Sequence, residues 1–423
     1  MWQKLKQHTH NFLRWSEKYS KTDMVYLAKG GFWLTSGQII ASISSFFLAI
    51  TFANLLSKET YGAYRYLLSV ASLLTIPTLS GINTAVLQAV AQNYEGSVMP
   101  AIRTRIRWGL LAGLGSLLVG IYYLVNDNEF LATSFFIITV FLPFTDPFTI
   151  YQSVLQGRGS FKKESLYRSL SSIVILIIML VVLLTTKNLH LILLFYFTSW
   201  FGINYFFFWL TKRTITDIKQ SHDVINYGKH LTAFGVLGEI AVQIDKILLF
   251  HLLGGIGVAM YAIAIAPVQQ IRGLARVGQI LIIPKASIVN LRIIRDNYWR
   301  KFFILLTALT SIVFIYIIIA PIFFRVFFPT YIEAVYLSQL FSLSLIGSVA
   351  ILNISLMQSH KEKKSLYKQS IIVAIFQILS LSVGIIYAGV IGAVIAFIIS
   401  RLVHAIYSTI QVLKLFKQVG EMD

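Results

Sequence analysis

The chain has 423 residues, of which 57% are hydrophobic and only 13% charged, with no cysteine and a formal net charge of +19. A soluble domain carries about 25% charged residues, so this composition excludes an ordinary soluble protein and points to a membrane-embedded one. The missing cysteines exclude disulfides and thiolate metal sites. The basic excess is spread over short loops beside apolar runs, which suits anionic lipid headgroups rather than nucleic acid.

The N-terminal segment 1–27 is basic and has no apolar stretch ending in a small-residue cleavage site, so no cleaved signal peptide is expected. Beyond it, charge-free stretches run over 30–57, 66–94, 108–126, 169–186, 188–211, 302–324 and 334–360. A helix needs roughly 20 apolar residues to cross a bilayer core, and these runs are long enough. In chain order the predicted spans are 28–52, 62–91, 106–125, 131–156, 167–186, 190–210, 230–253, 258–284, 302–325, 334–358, 367–387 and 390–413. The polar stretch 211–229 divides them six and six. The predicted fold class is therefore an all-α polytopic membrane protein of twelve transmembrane helices in two six-helix lobes, 28–210 and 230–413, with a tail at 414–423.

Basic residues crowd every second loop, as in the Arg103, Arg105 and Arg107 group, Arg158 with Lys162 and Lys163, Lys212 with Arg213, and Arg300 with Lys301. The opposite side keeps only Lys58, Lys187 and Arg325. The positive-inside rule then places both termini in the cytoplasm. Equal span numbers and equal orientation permit a parallel repeat. Traces of one are Leu55, Leu56 and Tyr64 against Leu252, Leu253 and Tyr261, and Ser165 to Arg168 against Ser365 to Lys368. Helix breaks are expected at Pro77 with Gly81, at Pro143 and Pro147, and at Pro267 with Gly273.

Ionisable residues inside the spans are the sharpest functional signal, because each is costly in hydrocarbon unless it meets water or a partner. Arg272 and Arg276 stand at i, i+4 in the eighth span, flanked by Gln269 and Gln279 in one polar stripe. Counted from Val258 at about 1.5 Å per residue, Arg272 lies roughly 21 Å down, near mid-membrane. Glu239, Gln243 and Lys246 share one face of the seventh span, with Asp245 turned away from it. Arg65, Asp146, Arg401 and His404 complete the interior set. The cations Arg65, Lys246, Arg272, Arg276 and Arg401 outnumber the acids Asp146, Glu239 and Asp245, which implies an anionic cargo headgroup. Arg grips phosphate oxygens bidentately and stays charged in apolar surroundings. The acids are candidates for proton or sodium coupling, and the alternative for Glu239, Asp245 and Lys246 is interhelical ion pairing. No aromatic residue is assigned to cargo. Enzyme, cofactor and metal motifs are missing, and the outward loops are short, so no catalytic residue is assigned.

A first span closing on 52–64, with Tyr61-Gly62-Ala63-Tyr64 at its end, and a Gln243-Ile244-Asp245-Lys246 run leading to 257–262 resemble the Wzx-type lipid-linked oligosaccharide flippases. Their superfamily also contains the multidrug and toxin extrusion (MATE) antiporters and the lipid II flippases. The resemblance covers the whole chain. It implies a MATE-like fold and export of undecaprenyl-pyrophosphate-linked oligosaccharide, such as an O-antigen unit for lipopolysaccharide biosynthesis, across the bacterial inner membrane beside polysaccharide assembly partners. A MATE-type cation-coupled drug antiporter is the nearest alternative, with a membrane glycan polymerase as the enzyme alternative. The net basic interior argues against a cationic drug.

Overall fold

The computed structural model describes residues 24–215, 219–221, 223–286, 291–359 and 363–420, with side chains at 30–215, 219–221, 223–273, 291–359 and 365–417. These residues form helices α1 (Met24–Leu55), α2 (Lys58–Leu74), α3 (Gly81–Ala91), α4 (Val98–Val125), α5 (Glu129–Thr145), α6 (Ile150–Gly157) and α7 (Phe161–Thr185). They continue with α8 (Leu189–Lys212), α9 (Val224–Ala286), α10 (Leu291–Phe327), α11 (Ala334–Ser342), α12 (Ala350–Ser359) and α13 (Lys363–Gly420). No strand occurs among the described residues. Hydrocarbon offers the backbone no hydrogen-bond partner, so segments this apolar must satisfy their amides internally, and helices do so. Leu110, Leu114, Leu118 and Ile121 illustrate the result: they line one face of α4 and are exposed, which in a membrane means facing lipid.

Among the described residues nine helices are long and apolar enough to cross a membrane, and the α2–α3 pair, bent by 43°, makes a tenth. The protein is a multi-pass membrane protein. Two of the nine fold back on themselves. In α9 the turn is Gly254, at φ 70°, a conformation that glycine adopts without a Cβ clash. In α13 it is Ala388 and Gly389, the latter at φ 55°. The arms of α13 then pack antiparallel, with the Ser380 and Ser400 hydroxyls 3.0 Å apart. A Cβ on Gly392 would lie 1.8 Å from the Gly384 carbonyl oxygen, so the hairpin closes only because both residues lack side chains. Both turns fall in loops expected from the sequence.

Breaks inside spans also follow the prolines. Pro77 lies in the 3-10 turn Ile76–Thr78 between α2 and α3, with Leu79 at φ 60°. Pro143 and Pro147 bracket the end of α5, and Pro147–Thr149 is again a 3-10 turn leading into α6. Pro267 behaves differently from the expectation. The helix runs through it, and Gly254 is the one non-helical residue of α9. A third break, the seven-residue 3-10 segment Leu343–Val349 between α11 and α12, has no proline to announce it.

The first eight helices meet the remaining five along a long seam. At one end a Cβ on Gly62 would sit 1.7 Å from the Gly255 carbonyl oxygen, and Tyr66 stacks on Phe250 at 4.0 Å. Nearby, Lys58 pairs with Glu333 at 3.1 Å and Asn54 donates to the Phe327 carbonyl at 2.9 Å. At the other end the Gly81 amide donates to Thr232 Oγ1 at 3.0 Å. The first arm of α9 thus follows the bent α2–α3 span along its length.

Candidate functional site

A cavity of about 320 Å³ opens where the breaks of α2–α3 and α5–α6 face α8 and the first arm of α9. One wall carries the hydroxyls of Ser72, Thr75 and Ser80, and the α5–α6 break adds Thr145 and Asp146. Helix α8 contributes Tyr196, Phe197 and Trp200, while α9 contributes Thr232 and Glu239. The Tyr196 and Trp200 rings lie nearly parallel, with an interplanar angle of 23° and centroids 6.4 Å apart. No described lining residue is Lys or Arg. Asp146 and Glu239, 93 positions apart in sequence, therefore share one space, and Gln243 is pinned to its rim by a 3.1 Å hydrogen bond to Ser72 Oγ.

Behind Asp146 stands Arg105, a residue whose place in the site was not read from the sequence. It is 1% exposed. Its Nε donates to the Thr78 carbonyl at 3.0 Å and its Nη1 to Asn83 Oδ1 at 2.7 Å. The break at Pro77 frees carbonyls that no helix amide can reach, and the buried guanidinium satisfies one of them. Its charge also acts on the Asp146 carboxylate. Thr149 closes the arrangement by donating to the Asp146 carbonyl at 2.7 Å. A signal for this existed: Arg103 and Arg107 are four residues apart and share the exposed face of α4, so Arg105 between them must point inward.

The expected cations do not converge on this cavity. Arg272 Nη2 donates to Ser344 Oγ at 2.8 Å, within the Leu343–Val349 break. Its guanidinium carbon lies 5.2 Å from the centre of the Phe397 ring, and that of Arg401 lies 4.8 Å from the same centre. The two arginines are thus gathered on one aromatic ring, each gaining a cation–π contact. His404 and Tyr261 stand within the field of both. Lys246 pairs with its neighbour Asp245 at 2.8 Å, with both side chains buried, and its Nζ also donates to the Val242 carbonyl at 3.0 Å. The pair lies within one helix rather than between helices. Arg65 is half-buried beside Tyr61, Tyr64 and Tyr196, and its Nε has no hydrogen-bond partner. Arg276 lies on the second arm of α9, with its side chain outside the described residues.

The tyrosines matched by the expected repeat have similar surroundings. Tyr64 and Tyr261 are both buried, and Tyr167 and Tyr367 each stack on a phenylalanine at 4.3 Å, Phe207 and Phe234 respectively. The break between α5 and α6 resembles that between α11 and α12, where a 3-10 segment again joins two helices. The first break holds an acid, while the second holds the hydroxyl that receives Arg272.

The family model described as polysaccharide biosynthesis protein matches residues 27–284, more than half of the chain. No curated protein matches it. Among solved structures, an inward-facing multidrug resistance MATE family transporter of the MOP superfamily superposes with a TM-score of 0.66 at 13% identity, over 92% of this chain and 99% of that one. A MATE transporter in complex with MaD5 gives 0.64 at 14% identity, over 94% and 96%. A MOP superfamily transporter from Pyrococcus furiosus, described as having a binding pocket of reversed polarity, gives 0.56 at 13% identity, over 93% and 95%. At these identities the likeness establishes a MATE-like fold.

Proposed function

The chain belongs to the polysaccharide biosynthesis protein family, and on that premise we propose that it is a flippase for undecaprenyl-pyrophosphate-linked oligosaccharide, an O-antigen or other surface-polysaccharide unit. It would move this cargo across the bacterial inner membrane by alternating access. The observation that carries the reading is the Arg272 and Arg401 pair on Phe397. Two guanidinium groups held against one ring inside an apolar fold can each give a doubly charged pyrophosphate a charge-assisted, bidentate contact. Arg276, one turn beyond Arg272, and Arg65 are assigned to the same electrostatic path. Lys246, neutralised by Asp245, adds polarity rather than net charge.

In this reading the chain crosses the membrane twelve times, once for each arm of α9 and α13 and once for the bent α2–α3 span. The lobes are 28–210 and 230–413, joined by 211–229, and both termini are cytoplasmic; the crowding of Lys and Arg in alternate loops supports that orientation. The glycan passes between the lobes while the prenyl tail stays in lipid, which spares its hydroxyls from hydrocarbon. Coupling to a proton or sodium gradient is assigned to Asp146, which sits at a helix break, and to Glu239 in the same cavity. Asp245 is held by Lys246 and is the weakest of the three acids for this role.

The second reading, a cation-coupled MATE-type antiporter, is favoured by the two carboxylates of the cavity and the lack of a described lining cation. Complementation of a deletion strain separates the two. Arg272→Gln and Arg401→Gln are expected to abolish surface glycan at normal protein level, with lysine restoring part of it. Full glycan in both variants, with altered tolerance to cationic drugs in Asp146→Asn, would establish the antiporter instead.

A further inference from the structure

The cavity beside Asp146 has no role in holding a pyrophosphate, yet its walls are unusually specific. Three of its five serine and threonine hydroxyls have their protons committed to nearby helix carbonyls: Thr75 donates to the Ser72 carbonyl at 2.7 Å, Thr145 to that of Leu142 at 3.0 Å, and Thr232 to that of Gly228 at 2.9 Å. What these hydroxyls and the two carboxylates still offer is lone pairs. The wall is therefore rich in acceptors, and its complement is a ligand rich in donors. The opposite wall is aromatic, with Tyr196 and Trp200 nearly parallel, and its complement is a flat apolar face. The volume of about 320 Å³ lies at the low end of small-molecule pockets.

A pyranose ring has these properties together, with equatorial hydroxyls as donors around its edge and a C–H face that lies against an aromatic ring. Resting on the flippase reading, we propose that this cavity seats one sugar of the oligosaccharide, with its face on Trp200 and its hydroxyls on Glu239 and Asp146, and that it selects neutral or amino-bearing sugars over uronic acids. The selection follows from charge. Asp146 stands in the field of the buried Arg105, whereas Glu239 is exposed on the cavity wall with no hydrogen bond or ion pair among the described residues. One negative charge is left facing the ligand. An ammonium group gains from it, a hydroxyl tolerates it, and a carboxylate is repelled.

The test uses the purified full-length protein in detergent and saturation-transfer NMR with three probes: a methyl glucoside, a methyl glucosaminide and a methyl glucuronide. The first two are expected to take up saturation, and the glucuronide to bind at least about tenfold more weakly. Glu239→Gln should narrow that gap, and Trp200→Ala should remove the signal of all three while Trp200→Phe keeps part of it. Inorganic pyrophosphate binding, measured on the same samples, reports on the other site. It should be lost in Arg272→Gln and unchanged in Glu239→Gln and Trp200→Ala, which also shows that those variants are folded. Equal binding of the glucuronide, or no sugar binding by a protein that binds pyrophosphate, would overturn the sugar site and leave the flippase reading standing. Binding of tetraphenylphosphonium with neither sugar nor pyrophosphate would overturn both.

Discussion

Arg105 carries more of the architecture than its place in a run of basic residues suggests. It is buried, it caps a carbonyl exposed by the Pro77 break, and it faces Asp146. Removing it leaves the Thr78 carbonyl and Asn83 without their charged donor and Asp146 without a compensating charge. Arg105→Gln is expected to lower stability by about 2–4 kcal/mol, read as an earlier thermal unfolding midpoint in detergent, and Arg105→Lys to recover little because ammonium cannot reach both acceptors in one plane. At this scale the sequence was informative about residue type and depth and silent about partners. Arg272 was recognisable from its depth in an apolar run, but its companion on Phe397 is Arg401, which is 129 positions away along the chain and is brought close only by the fold. The cavity aromatics Tyr196 and Trp200 were hidden among the aromatic residues that any membrane protein places at its interfaces.

Among the elements, what was legible depended on whether a break is written locally. Proline removes an amide and clashes with the preceding turn, so Pro77, Pro143 and Pro147 mark their own breaks. Pro267 shows the limit of that rule, since packing carries the helix through it. The Leu343–Val349 break has no proline because its cause is tertiary: Gly347 lies against the Arg401 carbonyl, where a Cβ would come within 2.6 Å, and Ser344 is held by Arg272. Glycine contacts of this kind are equally unreadable in one sequence. Gly392→Val should prevent the α13 hairpin from closing, because its side chain would meet the Gly384 backbone rather than a side chain able to turn aside. The expected outcome is a cost of about 1–3 kcal/mol or more, seen as a fall in membrane-inserted protein by quantitative immunoblot, whereas the same change at Gly31, which has open space around it, should be neutral.

Across the whole molecule the two halves are joined at the end bearing Lys58 and Glu333, where the Gly62–Gly255 contact, the Tyr66–Phe250 stack and the Asn54–Phe327 hydrogen bond also lie. The proposed alternating access would require this end to part during each cycle. Since the native chain has no cysteine, Lys58→Cys with Glu333→Cys can be bridged by a short bifunctional thiol reagent without other changes. Bridging is expected to stop export, and either single variant treated in the same way to keep it. Continued export by the bridged protein would mean that this seam stays shut in transport.

Whether Arg272 and Arg401 together receive a pyrophosphate headgroup can be read from translocation in proteoliposomes. Purified protein would be reconstituted with a fluorescent short-chain polyprenyl-pyrophosphate oligosaccharide, and arrival of the glycan at the opposite leaflet would be scored by its accessibility to a membrane-impermeant lectin. The wild type is expected to move the lipid, and Arg272→Gln and Arg401→Gln each to slow it by at least about tenfold, the loss of one charge-assisted bidentate contact. Wild-type rates in the folded double variant would contradict that expectation.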